Sequence, residues 1–296
     1  MKIISIGEVL WDVVGSGEHL GGATFNFSAH MHRLGHRVYF VSGVGRDERG
    51  RRILERMRAM GLSTEAVAVD DQLSTGYVSV TLAAGGQPHF VIHRPAAYDA
   101  PRLDASLASL LSSPPPDWIY YGTLSALSPQ VLDAIRSLIR ANPSASRLYD
   151  INLRPASYTP DLVKELLSAA SVLKLNDQEV AELSRILGIA PMPLRDFCVT
   201  LAARAGLKAL CVTRGEKGSA LWMEGDYVEA SGYAVRVADA IGAGDAFAAA
   251  FLHGLNAGWP PARVADFANR VGALIASRSG AIPDWTVEEA LGLGAT

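Results

Sequence analysis

The chain is poor in cysteine and has no excess of charge of either sign. Its 296 residues include two cysteines, Cys198 and Cys211, which are too few for a disulfide framework or a four-cysteine zinc site. Both are expected to be reduced, buried thiols. The 27 basic and 30 acidic residues give a formal net charge of −3, which argues against a general nucleic-acid-binding protein. Since 49% of the residues are hydrophobic, the composition also excludes a disordered chain.

Long hydrophobic runs are absent as well. A membrane-spanning helix needs about 18 consecutive apolar residues, and the best candidate, Ala246 to Leu255, is too short and contains His253. The apolar run after Lys2 is interrupted by Glu8, too early for a cleavable signal peptide. We therefore expect a soluble, cytoplasmic protein with no membrane partner.

Two common nucleotide-binding motifs are missing. The chain contains no Gly-x-x-x-x-Gly-Lys-Ser/Thr phosphate loop and no Gly-x-Gly-x-x-Gly at the start of a first βα unit. The second absence disfavours a dinucleotide-dependent dehydrogenase. His89 and His93 lie four residues apart on a predicted strand, where structural or solvated histidines are expected rather than a metal site.

Strand-like and helix-like patterns alternate along most of the chain, which predicts an α/β fold with a mostly parallel sheet and helices on both faces. The expected strands are 3–6, 38–41, 118–121, 147–151, 172–175 and 209–213, followed by two turn-separated β segments at 219–223 and 227–230. The expected helices are 23–34, 47–60, 129–140, 160–169, 178–187, 193–205, 242–257, 261–277 and 287–291.

One region breaks this alternation. The β segments 76–83 and 89–93 are joined by a glycine-containing turn at 84–88, with no helix between them. The short segments 9–14 and 19–20 can join them. We expect these pieces to form a small β lid outside the main sheet, from about 9–20 and 74–95, within a single domain spanning 1–296.

The strongest chemical signal is the segment Asp239-Ala240-Ile241-Gly242-Ala243-Gly244-Asp245. Small residues at a predicted helix start leave backbone N–H groups free to bind a phosphate or a developing negative charge. Asp245, in the first turn, can then accept a proton from a hydroxyl group. The structural alternative is that Asp245 complements the helix dipole and the glycines allow close packing.

A second glycine segment, Leu20-Gly21-Gly22-Ala23-Thr24-Phe25-Asn26, also precedes a predicted helix. The glycines let the backbone approach a ligand, and the Asn26 amide offers a donor and an acceptor. A simple glycine turn with an asparagine in the first helical turn explains the same pattern.

Polar residues also follow the strand at 147–151. On an extended chain, Asp150, Asn152 and Arg154 would share one face at the carboxyl end of the strand, where open α/β sheets bind ligands. Arg154 suits a phosphate or a carboxylate. An ordinary loop that begins at the end of the strand is the alternative.

Two further segments follow buried strands. In Lys174-Leu175-Asn176-Asp177-Gln178-Glu179, the spacing of Asn176 and Glu179 is typical of a helix capping box, which does not exclude a role in ordering Mg²⁺ and its waters. The glycine-bearing turn 213–219, with Thr213, Gly215 and Gly218, suits nucleotide phosphates.

Taken together and in this order, these segments resemble the PfkB family of carbohydrate kinases, which has a ribokinase-like fold. The resemblance spans nearly the whole chain, from Gly7-Glu8-Val9-Leu10-Trp11-Asp12 to Gly280-Ala281-Ile282-Pro283. The segments at 21–26, 43–50 and 239–245 look like the family's signatures. The resemblance implies a three-layer α/β/α sandwich with a small β lid.

The resemblance also implies roles for individual residues. Asp245 would be the catalytic base, and the N–H groups of Gly242, Ala243 and Gly244 would form an anion hole for the transferred phosphoryl group. Substrate would be bound by Asp12, Gly22, Asn26, Arg94 and Arg154. ATP would be bound by Lys174, Asn176, Thr213, Gly215, Gly218 and Asn269. Asn176 and Glu179 would hold Mg²⁺ through water, and Asp239 and Ile241 would hold a monovalent cation such as K⁺.

The chain departs from the family at Ala240, where the family usually has Thr or Ser, which puts the anion-hole loop and the cation site in question. Within the family, the chain looks most like fructokinases and 2-keto-3-deoxygluconate kinases. Arg94 in the lid would meet the carboxylate of an acid sugar, which keeps the second branch open.

The expected function is transfer of the γ-phosphoryl group of ATP to a sugar hydroxyl, in a fructokinase-like enzyme. The alternatives are a 2-keto-3-deoxygluconate kinase and a catalytically silent sugar- or nucleotide-binding protein. The expected partners are a small sugar and Mg-ATP, and a second copy of the chain. The exposed β edges of the lid would pair to form this homodimer.

Overall fold

The structure of the protein is a computed structural model that describes residues 1–15, 17–82 and 88–294, and a nine-stranded sheet lies at its centre. Its nine strands lie in the order β13-β12-β11-β10-β9-β8-β1-β4-β5. They are β1 (Lys2–Ile6), β4 (Arg37–Gly45), β5 (Val67–Asp70), β8 (Trp118–Gly122), β9 (Ser146–Asp150), β10 (Val172–Asn176), β11 (Ala209–Thr213), β12 (Ser219–Met223) and β13 (Asp226–Ala230). All neighbouring strands from β11 to β5 are parallel, whereas β12 and β13 are antiparallel.

Helices cover both faces of this sheet. One apolar cluster joins the sheet to α1 (Ala23–Arg33), α2 (Glu48–Ala59), α9 (Ala243–Asn256) and α10 (Pro261–Ala276). A second cluster, on the opposite face, joins it to α5 (Pro129–Ala141), α6 (Pro160–Ala169), α7 (Asp177–Leu187) and α8 (Leu194–Ala205). In β1, Ile3 belongs to the first cluster, whereas Ile4 and Ile6 belong to the second. The predicted three-layer architecture is therefore confirmed.

A second, four-stranded sheet lies outside the three layers. It contains β2 (Leu10–Val14), β3 (Gly17–Gly21), β6 (Gly76–Leu82) and β7 (Pro88–Ile92), in the order β3-β2-β6-β7. We call this sheet the lid. Its strands fall where the sequence predicts them, and the turn predicted at 84–88 lies, except for Pro88, outside the described residues. β7 ends at Ile92, so Arg94 lies beyond the lid strands.

Three short elements were not predicted: β5, α3 (Ala105–Ser112) and α4 (Thr123–Ala126). The remaining helix is α11 (Val287–Leu291), and single 3₁₀ turns occur at Ala97–Asp99 and Gly215–Lys217. Over the part of the chain that the structure describes, no helix has both the length and the apolar character needed to cross a membrane.

Candidate active site

The first turn of α9 forms an open cradle of backbone N–H groups. Gly242 precedes the helix in the left-handed conformation, with φ of 79°, and a Cβ there would lie 2.4 Å from the carbonyl oxygen of Ala281. Glycine is therefore required at this position. Among the described residues, the N–H groups of Gly242 and Gly244 have no acceptor, and the N–H of Ala243 makes only a 3.4 Å contact with Ala240. Such a cradle can bind an anion.

Asp245 lies in the same turn and faces α1. One of its carboxylate oxygens accepts a 2.8 Å hydrogen bond from the Asn26 amide nitrogen, 219 residues away in the chain. Burial raises the pKa of Asp245 to about 7, against the opposing effects of Lys174 and Asn26. A carboxyl group with a pKa near neutrality can exchange a proton with a substrate hydroxyl.

Asn26 has an unused acceptor. Its side chain is buried, and Oδ1 has no hydrogen-bond partner among the described residues. Unpaired buried polar atoms are costly, so a ligand donor such as a hydroxyl group would be favoured there. Gly22, which the sequence analysis places in the same site, caps α1 with φ of 109°, and a Cβ on it would lie 2.7 Å from Glu8 O.

Asp12 approaches the same space from the lid. It lies on β2, and Oδ2 is 2.7 Å from the position that a Cβ on Gly21 would occupy. Burial raises the pKa of Asp12, while the nearby cation of Arg154 lowers it and the carboxylate of Asp239 raises it. Asp12 and Asp245 are thus both electrostatic neighbours of Arg154.

The extended arrangement predicted for 150–154 is wrong. β9 ends at Asp150, and Asn152 has a φ of 36°, so the chain turns instead of continuing as a strand. Asp150 is buried and pairs with Lys174, whereas Arg154 is exposed. From this loop, the charge of Arg154 still favours the ionised forms of Asp12 and Asp245.

The sequence predicts that Lys174 binds ATP, but its side chain does not project freely into a nucleotide site. Its side chain is buried, and Nζ lies 2.9 and 3.1 Å from the two carboxylate oxygens of Asp150. The ammonium group lies beneath the anion cradle, 3.6 Å from the position of a Cβ on Gly244. The ammonium group is therefore paired within the core, and its contact with the phosphates of ATP stays a prediction.

Asn176 and Glu179 form the predicted capping box at the start of α7. Asn176 Oδ1 accepts the Glu179 N–H at 2.9 Å, and Glu179 accepts the Asn176 N–H at 2.7 Å. The second carboxylate oxygen of Glu179 accepts the N–H of Leu153 at 2.7 Å, which holds the loop after β9. Each oxygen keeps a lone pair, so the group retains the capacity to hold a water ligand of Mg²⁺.

The turn after β11 divides into an exposed and a buried part. Thr213 is half-buried and Gly215 is exposed, with φ of 58°, which leaves both accessible to a nucleotide. Gly218 is buried, and a Cβ on it would lie 2.1 Å from Ala230 O. The structure therefore explains Gly218 by close packing rather than by a surface that lines a nucleotide site.

Asn269 is buried on α10, and its amide nitrogen donates to the carbonyl oxygens of Ala230 and Ser231, at 3.3 and 3.1 Å. It thus holds the chain that leaves β13. Any contact with adenine would use its remaining acceptor.

The two residues predicted to bind a monovalent cation are close to each other. Asp239 accepts the backbone N–H groups of Ile241, at 3.0 Å, and of Gly280, at 3.2 Å. The hydrogen bond to Gly280 joins the start of the anion-hole loop to the segment after α10. Ala240, where the family usually has a hydroxyl, is exposed.

The sequence predicts that Arg94 binds substrate, but its guanidinium group already has partners within the protein. Its guanidinium group pairs with Asp99, with hydrogen bonds of 2.5 and 3.2 Å, and donates to the carbonyl oxygen of Leu124 at 2.6 Å. These contacts fix the guanidinium group beside the main body of the protein.

Sequence reasoning missed the contact between the lid and α2. Glu18, on β3, accepts hydrogen bonds from Arg49 at 2.9 Å and Arg52 at 2.6 Å. Arg49 also lies over the ring of Tyr77, and Arg52 lies over that of Trp11. These contacts depend on the position of the lid and therefore cannot be predicted from the sequence of α2 alone.

Comparison with known proteins shows which family the chain resembles. The family model for pfkB family carbohydrate kinase matches residues 7–287. One similar relative is the probable fructokinase-5 of Arabidopsis thaliana, which is 30% identical over 310 residues, covering 95% of this chain and 93% of the relative.

Two solved structures share the fold over nearly their whole lengths. Fructokinase with bound ATP from Xylella fastidiosa has a TM-score of 0.85 at 23% identity, with 99% of this chain and 97% of that chain covered. The 2-dehydro-3-deoxygluconokinase of Thermotoga maritima also has a TM-score of 0.85, at 18% identity, with 99% of each chain covered.

Proposed function

The chain belongs to the pfkB family of carbohydrate kinases, and we propose that it transfers the γ-phosphoryl group of ATP to a hydroxyl group of fructose. The observation that carries this proposal is the position of Asp245 in the same helical turn as the free N–H groups of Gly242 and Gly244. A base and an anion-binding cradle side by side are what phosphoryl transfer to a hydroxyl group needs.

In this proposal, Asp245 accepts the proton of the sugar hydroxyl as its oxygen bonds to the γ-phosphorus. The bond between that phosphorus and the bridging oxygen breaks, and ADP leaves with the electron pair. The N–H groups of Gly242, Ala243 and Gly244 stabilise the charge on the transferred group. Because its pKa is about 7, Asp245 is partly ionised at neutral pH and can act as a base there.

The sugar would lie between Asp12 on the lid and Asn26 on α1. The free Oδ1 of Asn26 and the carboxylate of Asp12 both accept hydrogen bonds, which suits the hydroxyl groups of a neutral sugar. The lid would exclude water, so that the sugar rather than water is phosphorylated.

A neutral sugar fits better than an acid sugar. The carboxylate of 2-keto-3-deoxygluconate needs a cationic partner, and Arg94 is already paired with Asp99. Arg154 is the exposed arginine near Asp12 and Asp245, and the phosphate groups of ATP compete for it. The probable fructokinase-5 of Arabidopsis thaliana favours the same choice.

Mg²⁺ would be held by the phosphates of ATP and by water on Asn176 and Glu179, and it would neutralise charge on the β- and γ-phosphates. No group of three or more histidine, cysteine or acidic side chains within the described residues could hold a metal by itself. A site that depends on nucleotide phosphates fits this donor set. Thr213 and Gly215 would line the rest of the nucleotide site, and Asp239 with Ile241 would hold a monovalent cation such as K⁺.

We also propose that two copies of the chain associate through their lids. β3 and β7 are the edge strands of the lid, and exposed edges can pair with a second chain. Val14 and Val91 are exposed on lid strands, with 48% and 37% of their surfaces accessible, and would be covered in such a pair.

The test is ADP release from Mg-ATP with fructose, ribose, tagatose, adenosine, fructose 6-phosphate and 2-keto-3-deoxygluconate, with and without K⁺. We expect fructose to give the highest kcat/KM. The Asp245→Asn variant should lose at least about 100-fold in kcat while still binding ATP.

Three outcomes would contradict parts of this proposal. Highest turnover with 2-keto-3-deoxygluconate would move the chain to that branch of the family. Full activity of Asp245→Asn would remove Asp245 as the base. Binding of ATP and sugar by calorimetry without ADP release would identify a catalytically silent binding protein.

A further inference from the structure

A buried ion pair lies directly beneath the anion cradle. Lys174 on β10 and Asp150 on β9 are neighbours in the parallel register, and their side chains are only 8% and 1% exposed. The ammonium group contacts both carboxylate oxygens, at 2.9 and 3.1 Å. Tyr120, on β8, donates its hydroxyl hydrogen to Asp150 at 3.3 Å. The pair is thus held by three adjacent strands.

The geometry connects this pair to the reaction centre. Nζ of Lys174 lies 3.6 Å from the position that a Cβ on Gly244 would occupy, so the ammonium group lies close to the first turn of α9. The two members of the pair act on Asp245 in opposite directions, because Lys174 favours its ionised form and Asp150 disfavours it. The proposed mechanism gives neither of them a step.

Stability alone does not explain such a pair. Removing two charges from water costs several kcal/mol per ion, and the attraction between them rarely returns more than that. Well-packed apolar residues would serve the core at least as well at this place. The pair is more readily explained by the field that it produces at the helix start above it.

We propose that Lys174, held in place by Asp150, is a positioning residue that places a fixed positive charge beneath the anion hole and Asp245 and does not bind ATP. This inference rests on the proposed kinase function of the same site. Lys174 acts by keeping Asp245 ionised and ready to accept a proton, while Asp150 limits this effect and fixes the ammonium group.

Other groups also face Asp245 and remain constant in the test. Arg154, from the loop after β9, favours the ionised form, and Asn26 donates a hydrogen bond to it from α1. The Tyr120 hydroxyl on β8 is fully buried nearby, and its pKa is raised well above its ordinary value by burial and by the carboxylates. Tyr120 therefore stays neutral over the working pH range.

The test is the pH profile of kcat/KM in Lys174→Met, Asp150→Asn and the double variant. Lys174→Met leaves the charge of Asp150 uncompensated, so we expect the acid limb of the profile to move up by about one pH unit. Asp150→Asn leaves the ammonium group uncompensated, so the acid limb should move down by a similar amount. The double variant should return close to the wild-type profile.

Lys2→Met is the matched control. Lys2 is also buried, at the opposite end of the sheet on β1, where its ammonium group donates to the carbonyl oxygens of Leu110 and Pro114. Loss of this lysine should lower stability without moving the pH profile. If Lys174 had a purely structural role, Lys174→Met would likewise lower stability without moving the pH profile, and Asp150→Asn would not shift the profile in the opposite direction.

ATP affinity tests the second half of the inference. In the double variant, two uncharged side chains replace an ion pair whose net charge is zero. Calorimetry should therefore give a Kd for ATP within about threefold of wild type. A Kd weakened by about tenfold or more would mean that Lys174 binds the phosphates directly, since a lost charge-assisted hydrogen bond has an effect of that size. Either that result or pH shifts of the same sign in both single variants would overturn the inference.

The inference can be separated from the proposed function. If Lys174→Met does not fold, Asp150→Asn and the double variant still carry the comparison. If the wild-type protein phosphorylates none of the sugars, the proposed function fails, yet a carbon-13 NMR titration of Asp245 in the ligand-free protein still measures the opposite shifts. No shift in that titration would overturn the inference independently of turnover.

Discussion

At the scale of single residues, ionisation of the buried Asp245 carboxyl group lowers the free energy of unfolding. Its pKa is raised to about 7 because the carboxylate is buried between α9 and α1, while an unfolded chain would ionise it near 4. Between these values the folded state binds the proton more tightly than the unfolded state. The free energy of unfolding therefore falls as the pH rises from about 4 to about 7.

The first prediction is that Asp245→Asn stabilises the protein at pH 8 while abolishing turnover. The amide keeps the shape and carries no charge to desolvate, so we expect a gain of at least about 1 kcal/mol. For a chain of this size that is a rise of about 2 °C or more in the melting temperature. Scanning calorimetry at pH 8 and pH 5 measures the effect.

The gain should be smaller at pH 5, because the wild-type carboxyl group is then mostly protonated. Asp226→Asn, at an exposed position, is the control and should change neither value. An equal gain at both pH values would contradict the ionisation argument.

At the same scale, the sequence predicted some site residues better than others. Asp245, Gly242 and Asn26 could be identified because a helix start after glycines has a fixed chemistry whatever surrounds it. Arg94 could not be placed, because its pairing with Asp99 and the Leu124 carbonyl depends on tertiary packing.

At the scale of elements, α7 connects secondary structure to the site. Its capping box is built by Asn176 and Glu179, and Glu179 also holds the loop after β9 through the N–H of Leu153. α11 begins with a second capping box, in which Thr286 and Glu289 play the same parts. The two helices therefore offer the same local chemistry, and the proposed function assigns a role in Mg²⁺ binding only to the capping box of α7.

The second prediction compares the capping boxes of α7 and α11. Asn176→Ala and Thr286→Ala should each lower the free energy of unfolding by about 1 kcal/mol, because each removes one side-chain cap. Only Asn176→Ala should raise the Mg²⁺ concentration needed for half-maximal turnover. Urea denaturation and Mg²⁺ titrations measure the two effects, and equal Mg²⁺ dependence in both variants would make Asn176 a cap alone.

The lid is joined to the main body through Glu18, which binds Arg49 and Arg52 of α2. The third prediction is that Glu18→Gln raises the KM for the sugar at least about threefold, because the lid then closes less firmly. Stability should fall by less than about 1 kcal/mol, since these charges are only partly buried. The Kd for ATP should stay unchanged.

Glu48→Gln is the control for this prediction. Glu48 pairs with Arg51 on the same helix and lies on the exposed surface, and among the described residues its side chain has no hydrogen bond or ion pair with the lid. It should leave the KM unchanged. A matching rise in KM in both variants would point to α2 itself rather than to the contact between α2 and the lid.

The pairing of Lys174 with Asp150 could not be predicted from the sequence, because it depends on the register between two strands. Lys174 and Asp150 meet because β10 and β9 pair in parallel with these two residues opposite each other. Parallel register depends on how the connecting helix packs, which no local pattern encodes. For the same reason Asp150 was expected at an open strand end beside Asn152, whereas it lies buried beneath the anion cradle.

At the scale of the whole molecule, the order of strands and helices could be predicted from alternation alone. Short runs of apolar residues predict buried strands and a 3.6-residue period predicts amphipathic helices, so six of the seven parallel strands follow from the sequence. The elements β5, α3 and α4 do not follow from the sequence, because β5 is only partly buried, α3 buries only Leu111 and α4 is a single turn, so none has a clear apolar pattern. The lid was recognised by the absence of a helix between two β segments.

The last prediction concerns association of two chains. If the lids pair, light scattering at micromolar concentration should give about twice the monomer mass of 31.5 kDa. Val14→Lys or Val91→Lys should then yield monomers, because a lysine at an exposed position on a lid strand would be buried without a partner. Val199→Lys, at a position on α8 that is 45% exposed and remote from the lid, should leave the mass unchanged.

Kinetic measurements decide whether dimerisation through the lid affects sugar binding. The lid carries Asp12, so a second copy that steadies the lid would act on sugar binding rather than on ATP binding. We therefore expect the monomeric variants to show a raised KM for the sugar with an unchanged Kd for ATP, the same result that we expect for Glu18→Gln. A wild-type protein that is already monomeric would refute the dimer and leave Glu18 as the main constraint on the lid.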